Sequence, residues 1–82
     1  MAEIISVAEM NTGETGKVVA FQGGCGMMQH LESMGIRIGS KIKKVSQQLM
    51  RGPIIILHRN TQVAIGFGMA QKIMVEIEIK LQ

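Results

Sequence analysis

Four side chains in this sequence could hold a metal or act as nucleophile and base: Cys25, His30, Glu32 and His58. Cys25 opens a predicted helix, where the macrodipole favours a thiolate over a thiol. A bound ion needs its ligands to converge, however. Cys25 and His30 are five positions apart, about 140° around a helix, so they diverge. The chain has one cysteine, so the Cys-x2-Cys pairs of a structural zinc site are absent. The expected reading is a loop thiol beside a surface imidazole, with no metal and no cofactor; Cys25 and His30 are the candidates should an ion such as Fe2+ or Zn2+ bind. Eight methionines invite a copper reading, since thioether sulfur selects Cu(I). Met34 and Met69 fall on predicted core faces, and with two Phe and no Trp or Tyr, methionine is expected to fill the core.

Catalysis finds little support. The acidic residues are all Glu, so no Asp can orient a histidine. Gly23-Gly24-Cys25-Gly26 before a helix suggests a phosphate cradle, but Met27-Met28 stands where a P-loop has Lys-Ser/Thr. The chain is therefore read as non-enzymatic. Nine Lys/Arg against six acidic residues give a net charge of +3, spread along the chain. Lys41, Lys43 and Lys44 with Arg37 and Arg51 could form a basic edge. A nucleic-acid surface would normally carry denser charge and aromatics to stack on bases, so no nucleic-acid partner is expected.

The elements that position these residues follow from local pattern. Ser6-Val7-Ala8-Glu9 is a capping box, with Ile5 and Met10 at staple spacing, and predicts one helical turn that ends by Asn11-Thr12-Gly13. Gly16–Gln22 reads as a strand. Met27, Leu31 and Met34 then fall on one helical face. Gly35 can take the left-handed conformation, with Ile36 folding back on Leu31 to end the helix. Ser40–Gln48 is a second strand, where Ile42 and Val45 break strict alternation. Either a bulge near Lys43-Lys44 resolves this, or Lys44 lies along the core edge with its ammonium outside. Leu49–Pro53 is the hairpin connection, Pro53–Arg59 the third strand, Asn60-Thr61 the turn, and Thr61–Ile65 the fourth strand. Gly66–Gln71 has room for a single helical turn. Ile73, Val75, Ile77, Ile79 and Leu81 alternate with Met74, Glu76, Glu78 and Lys80 in the last strand.

These elements describe a mainly β fold, a small five-stranded barrel with one inserted helix and an N-terminal helical turn, spanning 1–82 as a single domain. At 82 residues only about 60–65% of the unfolded surface can be buried. The longest apolar run, Ile54–Leu57, is far short of the ~20 residues that cross a bilayer. With no signal peptide visible, a cytoplasmic location without membrane insertion is expected. The third strand is apolar on both faces, Ile54/Ile56 and Ile55/Leu57, and a barrel interior takes only one of them. Ile55 and Leu57 are either covered or exposed as a patch rimmed by Arg51 and Arg59, which would mark a partner or dimer surface. Met28, Arg37, Arg51, Ile55, Leu57 and Arg59 are the candidate partner contacts.

A family resemblance rests on Gly13-x-x-Gly16-Lys17-Val18-Val19 and Leu31-x-x-Met34-Gly35-Ile36-Arg37-Ile38-Gly39. It continues through Arg51-Gly52-Pro53-Ile54, Val63-Ala64-Ile65 and Ala70-x-x-Ile73-x-Val75, from about 5 to 79. This pattern resembles the FeoA family of ferrous iron transport accessory proteins. The resemblance implies an SH3-like barrel and a cytosolic role at the inner face of the membrane, through the GTP-dependent transporter FeoB. It implies action by contact, with a homo-oligomer open. A related domain ends metal-dependent repressors of the diphtheria toxin repressor type, so the alternative is a small Fe/Zn carrier or sensor domain. Many family members carry consecutive arginines where this chain has Met28-Gln29-His30, which implies a less charged contact.

Overall fold

The alternation of β-branched and polar residues produces one antiparallel sheet, seen here in a computed structural model that describes residues 2–23, 25–48 and 52–78. The strands are β1 (Ala2–Ser6), β2 (Thr15–Phe21), β3 (Lys41–Gln47), β4 (Ile54–His58), β5 (Thr61–Ile65) and β6 (Ile73–Glu78). Their hydrogen-bonded order is β1-β6-β2-β3-β4-β5, so β2 to β5 form a meander and the two outermost elements of the chain meet at β1 and β6. The nine-residue helix α1 (Cys25–Ser33) is inserted between β2 and β3. A 3-10 turn (Val7–Glu9) follows β1, and the four-residue helix α2 (Phe67–Ala70) precedes β6.

The sheet has six strands where the sequence pattern predicts five. The additional strand, β1, is held by its register with β6, Ala2 opposite Glu78 through Ser6 opposite Met74. Its burial pattern explains why it carries no local signal: Ala2, Glu3 and Ile4 are exposed and only Ser6 is buried. The other strands fall where alternation puts them. Ile73, Val75 and Ile77 point inward from β6, while Glu76 and Glu78 are exposed. Ile54 and Ile56 of β4 join Ile42, Ile65, Val18 and Leu31 in the core, and Met27, Met34 and Met69 pack against it. The predicted connection at Leu49, Met50 and Arg51 lies outside the described residues, as do Ile79, Lys80 and Leu81.

Two bulges interrupt the ladders. One falls between Val18 and Ala20 against β6, the other between Lys44 and Ser46 against β4. The second resolves the Ile42/Val45 mismatch, because Ile42 and Lys44 point inward and Val45 is the extra residue. Lys44 does not put its ammonium outside. It is fully buried, and its Nζ donates to the carbonyl oxygens of Val7 (3.2 Å), Ala8 (3.2 Å) and Met10 (2.6 Å). A buried cation is tolerated only when such acceptors replace water. The N-terminal turn supplies them, and the Glu9 carboxylate accepts from the Ser6 N–H at 3.1 Å to hold that turn in shape.

The end of α1 follows the predicted Schellman pattern. Ile36 N–H donates to the Leu31 carbonyl at 2.9 Å, and Gly35 N–H to the Glu32 carbonyl at 2.9 Å. Gly35 sits at φ +85, and Leu31 and Ile36 are fully buried. The chain turn between β4 and β5 is made by Arg59 and Asn60, one residue earlier than the sequence suggests. His58 pairs with Thr61, and both turn residues have positive φ, +50 and +66, which defines a two-residue type I′ hairpin.

Candidate functional site: a cationic cleft

The Schellman ending fixes how the chain leaves α1. With Ile36 anchored in the core, the next two residues turn outward, and Arg37 and Ile38 are exposed, Ile38 at 59%. Four hydrogen bonds hold this loop. Arg37 N–H donates to Ser40 Oγ (3.0 Å) and Ser40 N–H to the Arg37 carbonyl (2.9 Å). Gly39 N–H donates to the Val18 carbonyl (2.7 Å) and Val18 N–H to the Ser40 carbonyl (2.8 Å). Gly39, at φ +97, makes the reversal possible. The loop is thus tied to itself and to β2, with Arg37 and Ile38 exposed as consecutive residues on it.

The β4–β5 hairpin supplies the opposite wall. Met34, Gly35, Arg37 and Ser40 from the first segment face His58, Arg59 and Thr61 from the second across a cleft of about 370 Å³. Two arginines line it and no carboxylate does. Among the described residues neither guanidinium has an ion-pair or hydrogen-bond partner. His58 is 9% exposed, and its ring lies beside Gly35, where a built Cβ would meet it at 3.9 Å, an ordinary contact. Arg59 holds its position at a cost, since a non-glycine residue at φ +50 carries strain of about 1 kcal/mol. A second, wider groove runs along β1, β6 and β2, but Glu3, Glu14, Glu76 and Glu78 share it with Lys17 and Lys41, so its charge is mixed.

The structure sorts the sequence candidates. Arg37 and Arg59 come together in the cleft. Met28 is 36% exposed on α1, in a segment where Gln29 and His30 are exposed too. Ile55 and Leu57 are half-buried on the outer side of β4, with Ser46 and Ala64 beside Ile55 and Lys43 and Gln62 beside Leu57. They form no broad open patch. Arg51 lies outside the described residues, and so does the Cys25 side chain. His30 is exposed, and its carbonyl accepts from the Ser33 hydroxyl. Among the described residues no three His, Cys, Asp or Glu groups gather to hold an ion. The sequence offers His58 as a ligand and does not reveal it as a lining residue of the cleft. The signal it does carry is an inward-facing position at the end of β4 beside a turn.

A six-stranded antiparallel sheet with two short helices and a cationic cleft at one loop cluster defines a small SH3-like β module. Its relatives give it a family. The FeoA domain model matches residues 5–77, and the chain belongs to that family of iron transport proteins. A protein of Methanocaldococcus jannaschii provisionally named Fe(2+) transport protein A is 52% identical over 64 residues, 78% of this chain and 76% of that protein. The crystal structure of an iron uptake regulatory protein (FeoA) superposes with a TM-score of 0.79 at 37% identity, covering 89% of this chain and 95% of that one. A manganese-dependent transcriptional repressor shares the fold at a TM-score of 0.84 and 22% identity, over 95% of this chain and 44% of that one. Among the described residues no helix is long and apolar enough to cross a membrane.

Proposed function

We propose that this chain is a single-domain, non-catalytic accessory module of ferrous iron uptake that works in the cytoplasm by binding a FeoB-like transporter at the inner face of the membrane. The family match over residues 5–77 carries this reading. A module of this kind acts only by differential affinity. It must bind one state of the transporter more tightly than another, and it shifts the population by that difference. The proposed contacts are Met28, Arg37, Ile55, Leu57 and Arg59, with Arg51 added on sequence grounds. Ordered loops suit such work, because little conformational entropy is lost when a pre-formed surface docks.

The test is co-purification with the cytosolic region of a FeoB-like transporter, repeated with Leu57→Glu. Binding by the wild-type chain and weakened binding by a folded Leu57→Glu are the expected results. Absence of wild-type binding to the transporter in every nucleotide state would overturn the proposal. Normal binding by Leu57→Glu would remove the outer face of β4 from the contact and leave the module reading intact.

A further inference from the structure

We infer that the cleft between the α1-ending loop and the β4–β5 hairpin is a docking site for an acidic, partly apolar segment of a protein partner, whose carboxylate seats against Arg37 and Arg59. This inference rests on the accessory reading above and names the chemistry of its contact.

The charge argument comes first. Seven residues line the cleft, two of them arginines whose guanidiniums have no partner among the described residues, and none is acidic. Elsewhere the surface mixes its charges, as the Glu and Lys residues of the β1–β6–β2 groove do. Unpaired guanidiniums that share one concavity favour an anion, and the planar fork of arginine matches a carboxylate through two parallel N–H···O bonds. The hydroxyls of Ser40 and Thr61 add donors on both walls.

Backbone evidence points the same way. Arg59 is held in the left-handed region, where Asn or Gly would sit at lower cost. The positive φ of Gly35 and Gly39 brackets the loop that carries Arg37. Both guanidiniums are thus presented by turns of fixed shape. Strain of this kind persists where the surroundings over-determine the position, and it concentrates at binding sites.

The kind of anion follows from what surrounds the charges. Ile38, next to Arg37, is 59% exposed and offers an apolar contact that free phosphate would not use. The cleft is an open depression between two loops, suited to a side chain of a larger molecule. No Phe, Tyr or Trp lines it and the His58 ring is buried, which leaves a base only the two guanidinium planes to stack on. A segment that alternates Glu or Asp with aliphatic residues satisfies both the cationic walls and Ile38.

The inference is tested by titrating the 15N-labelled protein with a capped Leu-Glu-Leu-Glu peptide, its Gln counterpart, inorganic phosphate and a short single-stranded oligonucleotide. Saturable shifts confined to the amides of Gly35, Arg37, Ser40, Arg59 and Thr61 are expected with the Glu peptide alone. Arg37→Glu/Arg59→Glu should weaken that binding by about tenfold or more, while Lys72→Glu, an exposed lysine outside the cleft, should not. Equal shifts with the Gln peptide, tighter saturation by phosphate or the oligonucleotide, or no saturation at all would overturn it. The same variants in the transporter pull-down separate the two proposals. Wild-type binding that survives the double charge reversal removes the cleft but keeps the accessory role. Peptide binding without transporter binding keeps the cleft and removes that role.

Discussion

The Lys44 ammonium lies 2.6 Å from the Met10 carbonyl oxygen, so a residue of β3 clasps the N-terminal turn across 34 positions of sequence. Two further acceptors, the carbonyls of Val7 and Ala8, share the same ammonium at 3.2 Å. Lys44→Met keeps most of the stem and removes all three donors. The turn's carbonyls would be left buried without this partner, so the variant should lose about 2–4 kcal/mol of stability. Urea unfolding measures the loss. Amide exchange should also rise first in residues 7–10, and a uniform rise across the sheet would show that the clasp has no local role.

Lys44 also makes stability depend on pH. Burial pushes its pKa below the ordinary lysine value, and the Glu14 carboxylate partly opposes that. Between the depressed folded value and the ordinary ~10.4 the unfolded chain holds a proton that the folded chain has released. Unfolding then takes up a proton, so stability must rise with pH across that window. The gap in unfolding free energy between wild type and Lys44→Met should therefore widen as pH rises from the depressed folded value toward ~10.4. Every other group is common to the two proteins, so the difference isolates Lys44. A gap that narrows would mean that the three carbonyls hold the proton more strongly than burial expels it.

Gly35 is a backbone requirement. At φ +85 a side chain is strained, yet a Cβ built there comes no closer than 3.9 Å to the His58 ring. Gly35→Ala should cost about 1–2 kcal/mol through backbone strain alone, and Gly35→Asn less, because Asn visits this region more readily. Equal losses in the two variants, read from urea midpoints, would point to steric crowding at His58 as the cause.

What the sequence disclosed and what it hid have one physical basis. The end of α1 was legible because Leu31, Gly35 and Ile36 interact within six residues. The strand Thr61–Ile65 was legible in the same way, from its own residue types. β1 was not, because its order comes from pairing with β6 at the far end of the chain. Lys44 was legible only as an anomaly in alternation, since its acceptors come from a turn more than thirty positions away. Of the candidate site, Arg37 and Arg59 were legible as members of one set of partner contacts around Ile55 and Leu57. Their meeting in one cleft with His58 depends on the α1 loop and the hairpin folding toward each other, which no local pattern encodes.

Metal uptake is a separate question with its own measurement. Ligands for an ion must converge, and five positions of helix set Cys25 and His30 about 140° apart around α1. Equilibrium dialysis with Fe(II) and Zn(II) under anaerobic, reducing conditions should give no stoichiometric uptake, and Cys25→Ser should change nothing. One tightly bound ion per chain, lost in Cys25→Ser, would instead make the carrier or sensor alternative the better account.

The binding role proposed for Arg59 sets stability against affinity, and that opposition can be measured. Its φ of +50 is one that Asn adopts more readily than Arg. Arg59→Asn should therefore gain about 0.5–1 kcal/mol of stability from relief of the turn. The same change deletes one wall of the cationic cleft, so binding of an acidic segment should weaken. Asn60→Gly relieves the second turn position, φ +66, without removing a residue that lines the cleft. It should stabilise the hairpin and leave binding unchanged. If Arg59→Asn gains stability and loses no affinity, the strain at this position has no functional counterpart. If it loses stability, the guanidinium holds the hairpin itself, and the cleft wall is structural.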